Sequence, residues 1–159
     1  MNAGRYMPIF PVQINYKMDK SGPIIIIEDN KGDQRILVEI FKKISFNNEL
    51  LFFSEGEAAL DFLKNTDKTP FLVISDINMP KMSGFELRSR IRENKELSRM
   101  CVPFLFFSTG GNKNAVEDAY ALSVQGFFKK PIDIDELEVT MRKIVDYWKV
   151  CIAPADYND

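Results

Sequence analysis

Histidine is absent from all 159 residues. That removes Ser-His-Asp and Cys-His nucleophilic catalysis, the usual zinc hydrolase sites, and any phosphoryl group carried on an imidazole of the chain itself. Cysteine is scarce: Cys101 and Cys151 lie far apart, which excludes a disulfide scaffold and a Cys-rich zinc site. No stretch approaches the roughly 18 consecutive apolar residues of a membrane span. Neither sign of charge dominates. The net charge is -2, so no basic field exists to hold nucleic acid non-specifically. Neither a membrane nor nucleic acid is therefore an expected partner. The segment Met7-Pro8-Ile9-Phe10-Pro11-Val12 is too short and too broken by prolines for a secretory signal, and the expected location is the reducing cytoplasm. What remains is carboxylate, hydroxyl and lysine chemistry.

Hydrophobic residues make up 45% of the chain and charged residues 28%, the balance of a single globular domain. Residues 1–21 read as an N-terminal extension, flexible or added upstream, with Met18 as an alternative start. They end at the loop signal Lys20-Ser21-Gly22-Pro23. Residues 22–149 read as the domain and 150–159 as a tail.

Ile24-Ile25-Ile26-Ile27 has no polar face and predicts a strand buried on both sides. A helix starts at Asn30-Lys31-Gly32-Asp33, with Ile36, Leu37, Ile40, Phe41 and Ile44 at helical spacing. Leu50–Phe53, Phe71–Ile74, Phe104–Phe107 and Gly126–Phe128 predict further strands. Ser54-Glu55-Gly56-Glu57 and Ser83-Gly84-Phe85-Glu86 fit capping boxes, the first opening a helix through Leu63. Another helix starts at Asn114, with Val116, Ala119 and Leu122 inward. Asp133 to Glu136 cap the last, with Leu137, Met141, Ile144, Val145 and Trp148 as its inner stripe. Strand and helix thus alternate five times. Short apolar strands between amphipathic helices imply a doubly wound α/β fold, a parallel sheet covered on both faces.

Ligands of open α/β sheets bind outside the carboxyl ends of the strands. Those ends carry Glu28-Asp29, Ser75-Asp76-Ile77-Asn78-Met79-Pro80, Ser108-Thr109-Gly110-Gly111 and Lys129-Lys130-Pro131. Three crowded carboxylates call for a hard divalent cation, and oxygen ligands favour Mg²⁺. A carboxylate can also attack phosphorus, with a lysine and a hydroxyl to hold phosphoryl oxygens. Phosphoryl transfer needs little beyond positioning and charge neutralisation.

On these residues, Gly22 to about Trp148 resembles a response-regulator receiver domain of the stand-alone type. The matching pieces are Glu28-Asp29, Asp76-Ile77-Asn78-Met79-Pro80 with Gly84 after it, Ser108 five residues after Pro103, and Lys130-Pro131. The resemblance implies a flavodoxin-like sheet of strand order 2-1-3-4-5. It implies that Asp76 is the phosphoacceptor. Asp29, Asp76 and the backbone carbonyl of Asn78 would ligate Mg²⁺, with Glu28 acting through a bound water. Ser108 would bond the phosphoryl group and move on activation, Lys130 would pair with its oxygens, and Pro131 would follow a cis peptide. The implied donor is a sensor histidine kinase or phosphotransfer protein, and the output a downstream protein partner or a second copy of the chain. The chain would catalyse only its own phosphorylation and dephosphorylation.

Departures from the commonest pattern are Glu-Asp for the acid pair, Thr109 after the switch hydroxyl, Gly110-Gly111 softening the next loop, and Phe127 at the aromatic switch position, where a tyrosine would carry a hydroxyl. Singly, Glu28-Asp29 fits cap acids, Asp76 a loop residue, Ser108 a cap and Lys130 a solvated charge. Together, at four strand ends, they fit a site better. The Phe-rich strands read as core, and Trp148 as an anchor for the last helix. Rival functions are a receiver-like binding module that is not phosphorylated, an aspartate-nucleophile phosphohydrolase, and a flavodoxin-like cofactor protein. Asn78 stands where the hydrolases carry a second acid, and Glu28-Asp29 would repel a cofactor phosphate.

Overall fold

The structure, a computed structural model, describes residues 19–153. Residues 1–18, most of the expected N-terminal extension, and 154–159, in the expected tail, lie outside the described residues. The elements are β1 (Ile24–Ile27), α1 (Lys31–Lys43), β2 (Leu50–Phe53), α2 (Gly56–Asn65), β3 (Leu72–Ser75), α3 (Gly84–Glu93), α4 (Lys95–Arg99), β4 (Phe104–Ser108), α5 (Lys113–Ala121), β5 (Gly126–Lys129) and α6 (Ile134–Val150). The strands pair in parallel in the order β2-β1-β3-β4-β5.

Strand alternation sorts the core into two layers. Ile24 and Ile26 face Leu37, Ile40 and Phe41 of α1 and Met141, Ile144 and Val145 of α6. Ile25 and Ile27 face Ala59, Leu60 and Leu63 of α2 and Leu87 and Ile91 of α3. All four isoleucines are buried, which is why β1 has no polar position. Trp148 packs, partly buried, on the α1–α6 layer.

The helix starts follow from side-chain caps. Asn30 accepts from the Gly32 and Asp33 amides, Ser83 from Glu86, and Asp133 from Glu136. The expected capping box at Ser54–Glu57 does not form. Glu55 is the N-cap of α2 and makes no side-chain cap bond. The Ser54 hydroxyl is taken instead by Lys31 Nζ at 2.7 Å and Gln34 Nε2 at 3.2 Å, so a contact across to α1 wins over the local cap. The fourth β–α helix is capped by Asn112, not opened at Asn114, and of its expected inner residues only Ala119 is fully buried. The regular five-pair alternation also misses α4, whose five residues are capped by Asn94 directly behind α3. No peptide bond among the described residues is cis. The expected cis bond before Pro131 is therefore replaced by the trans form, which X–Pro bonds prefer by about 0.5–1 kcal/mol.

Gly84 is required by close approach. A Cβ there would lie 2.2 Å from the Asp76 carbonyl oxygen and 2.9 Å from the Phe106 ring. Without a side chain, the Gly84 amide reaches the Ile77 carbonyl at 2.8 Å and seats the start of α3 against the end of β3.

Candidate functional site

Chain order reverses between β1 and β3, so the following helices part to opposite faces and leave a crevice beyond the strand ends. The sheet ladder runs right up to it. Glu28 N–H donates to Phe53 O at 2.9 Å, Asp76 N–H to Ile27 O at 2.9 Å, and Lys130 N–H to Ser108 O at 2.8 Å. Each of these residues is the first beyond its strand and is pinned by its neighbour strand, so its side chain starts from a rigid backbone.

Glu28, Asp29 and Asp76 each place a carboxylate oxygen within 4.8 Å of the others. Glu28 and Asp76 are buried and Asp29 is half-buried. Both Glu28 oxygens have partners: Oε1 accepts from the Asn30 amide at 3.0 Å, and Oε2 from Lys130 Nζ. Asp76 Oδ1 accepts from the Ile77 amide at 2.6 Å, while Oδ2 faces Lys130 Nζ at 3.3 Å. The Lys130 ammonium also donates to Asp33 Oδ2 at 3.1 Å. Gln34 Nε2 donates to the Glu28 carbonyl, tying the acid pair to the first turn of α1.

The charges shift one another. Burial pushes the Glu28 carboxyl up from its ordinary value, and the Lys130 hydrogen bond and the Asn30 amide only partly offset this. Burial alone would lower Lys130, but the hydrogen bond and charge of Glu28, with Asp76 and Asp33, outweigh it and hold the ammonium above the ordinary lysine value.

Four of the expected site residues, Glu28, Asp29, Asp76 and Lys130, therefore come together. Ser108 is fully buried at the end of β4, and its Oγ has no hydrogen-bond partner among the described residues. A buried hydroxyl without a partner costs about 1–3 kcal/mol. Asn78 is exposed on the loop after Asp76, and a Cβ on Gly110 would lie 3.7 Å from its amide nitrogen. Phe127 is half-buried on β5, edge-on to Phe106 at 6.3 Å. A Cβ on Gly111 would lie 3.1 Å from its ring, so Gly111 serves to let the loop lie on Phe127; neither Gly110 nor Gly111 uses a positive φ. Asp33 went unrecognised as a site residue, because an acid in a first helical turn is what the helix dipole favours anyway. The hint lay in its place: the first turn of α1 directly follows the strand end that carries Glu28-Asp29.

The sequence pattern of the response regulator receiver domain matches residues 24–142. The chain belongs to the response regulator receiver domain family. Response regulator Rcp1 of Synechocystis sp. is 30% identical over 138 residues, which is 82% of this chain and 92% of that protein. The phosphorylated cyanobacterial phytochrome response regulator RcpA superimposes with a TM-score of 0.75 at 26% identity, covering 84% of this chain and 98% of that one. The Mn²⁺-bound form of Rcp1 does so with a TM-score of 0.74 at 28% identity, covering 84% and 99%. Receiver domains are signalling modules of two-component systems and not classical enzymes. Among the described residues no helix is long and apolar enough to cross a membrane.

Proposed function

We propose that this receiver domain is the phosphoacceptor switch of a two-component relay, with Asp76 as the residue that takes the phosphoryl group. One observation carries the reading: a buried aspartate lies between an acid pair, a lysine ammonium and, at the next strand end, a buried hydroxyl that lacks a partner. A carboxylate oxygen of Asp76 attacks phosphorus of the donor. The bond from phosphorus to the donor breaks, the leaving group keeps its electron pair, and an acyl phosphate forms on Asp76. Hydrolysis reverses the charge state: water attacks phosphorus, the bond to Asp76 breaks, and inorganic phosphate leaves.

The donor set fits a hard divalent cation, since it offers oxygen alone and carries more negative charge than Lys130 offsets. Asp29 and Asp76, with the Asn78 carbonyl, would hold Mg²⁺, and Glu28 would stand behind them because both its oxygens already have partners. When bound, the ion neutralises charge that would otherwise repel an incoming phosphoryl group. Lys130 trades its Asp76 contact for a phosphoryl oxygen, and Ser108 Oγ gains the acceptor it lacks.

That gain draws Ser108 towards the site and frees space beside β5, into which Phe127 turns. The face of α5, β5 and α6 then changes shape for a protein partner or a second copy of the chain. A bias of only a few kcal/mol between two packings suffices. The donor is a sensor histidine kinase or phosphotransfer protein. Residues 22–149 form the working unit, and the cytoplasm is its place. RcpA was crystallised phosphorylated and Rcp1 with Mn²⁺, and both forms accord with this reading. The test is labelling by acetyl phosphate with Mg²⁺. Wild type takes a hydroxylamine-sensitive label and Asp76→Asn takes none; undiminished label in the variant contradicts the assignment.

A further inference from the structure

Lys130 has three N–H groups, and three carboxylates claim them: Glu28, Asp33 and Asp76. Two of these belong to the acid cluster suited to a cation, and Asp33 does not. Asp33 lies in the first turn of α1, with its side chain 39% exposed, whereas the Lys130 side chain is 10% exposed. Asp33 and Lys130 also share the wall of a cavity of about 230 Å³ with Thr109 and Pro131. The ammonium is thus held from two directions, inward by Glu28 and Asp76 and outward by Asp33.

We propose that Asp33 is a positioning residue that sets how Lys130 engages the phosphoryl group, an inference resting on the function proposed above. The Asp76 contact does not last through the reaction, because phosphorylation replaces the Asp76 oxygen facing Lys130. Of the two partners that remain, Glu28 lies within the acid cluster and pulls inward, and Asp33 alone of the three lies outside it, so Asp33 keeps the ammonium oriented outward while the Asp76 bond is exchanged. A charge-assisted hydrogen bond gives direction as well as energy. Without it, the flexible lysine stem settles on Glu28 and points less well at the phosphoryl oxygens.

The experiment compares Asp33→Asn and Asp33→Glu in wild-type and Lys130→Ala backgrounds. The probes are acetyl phosphate at saturating Mg²⁺, and beryllofluoride affinity as a readout independent of turnover. Asp33→Asn should slow labelling and weaken beryllofluoride binding about fivefold to tenfold, the scale of one charge-assisted hydrogen bond. Asp33→Glu should restore most of both. In the Lys130→Ala background the Asn change should cost less than about twofold, since the pair acts as a unit. An Asp33→Asn protein equal to wild type overturns the proposal, as does an equal loss with and without Lys130, which would mark a general field effect. A change in melting temperature alone, with both readouts unmoved, marks a helix-dipole acid and also overturns it. Wild type that takes no label contradicts the proposed function itself, whereas labelled wild type with an unaffected variant contradicts only the role of Asp33.

Discussion

The two ends of the sheet carry charge in opposite ways. At the amino end, Arg88 donates to the Leu122 and Ser123 carbonyls at 3.1 and 2.8 Å and lies over the Phe104 ring at 5.3 Å, while Arg92 donates to Ala121 O at 2.9 Å. These carbonyls close the end of α5, where a helix accumulates negative partial charge. The arginines are thus satisfied by the chain, even beside a cavity of about 310 Å³. At the carboxyl end, among the described residues, Glu28, Asp29, Asp33 and Asp76 gather around a single ammonium, and Ser108 Oγ has no partner. A charged cluster that the fold satisfies stabilises structure. One that the fold leaves in excess costs stability and serves for binding. What separates the two ends is unbalanced charge.

Lys130→Ala should sharpen the contrast most. Removing the one cation from a buried acid cluster should cost about 3 kcal/mol in the metal-free protein. Mg²⁺ should then recover more stability than it adds to wild type, where saturation at 100 times Kd is worth about 2.7 kcal/mol. Thermal melts with and without Mg²⁺ check both; equal Mg²⁺ shifts in the two proteins would break the comparison.

Arg88→Ala should cost less, about 1–2 kcal/mol for the lost carbonyl bonds and ring contact. Labelling by acetyl phosphate should stay within about twofold of wild type, because this end does no chemistry. A variant of normal stability that labels poorly would show that the amino end is not merely structural.

The smallest effect is the pH dependence of the metal-free protein. Glu28 is raised in the folded state, so just above its ordinary value of 4.5 the native chain binds more protons than the unfolded one. Stability therefore falls as pH rises through that window. Lys130 is raised too, so its contribution is complete below 10.5 and is lost as pH climbs past that value. Both slopes should flatten in a Glu28→Gln, Lys130→Ala double variant, measured by denaturant melts across pH.

Much of this was legible in the residues alone. Unbroken apolar runs such as Ile24–Ile27 permit only a strand covered on both faces, and once the strands are placed in order, their ends bring Glu28, Asp29, Asp76 and Lys130 together without further assumption. Less legible were features in which two distant segments compete for one group. Ser54 matches a local cap, yet Lys31 and Gln34 reach it first. Helix α4 is only five residues long, below the length at which periodicity is visible. Asp33 has a sufficient local reason to be acidic, and only the approach of Lys130 across the fold shows its second partner.

The measurement that tests the central claim most directly is chemical trapping of the phosphoryl group. Wild-type protein is labelled with acetyl phosphate and Mg²⁺, and borohydride then reduces the acyl phosphate to an alcohol, marking the residue that carried it for peptide mass spectrometry. The account predicts one reduced position, Asp76, dependent on Mg²⁺. Reduction at Glu28, Asp29 or Asp33, or no reduced residue under conditions where the protein is folded and Mg²⁺-bound, would contradict it.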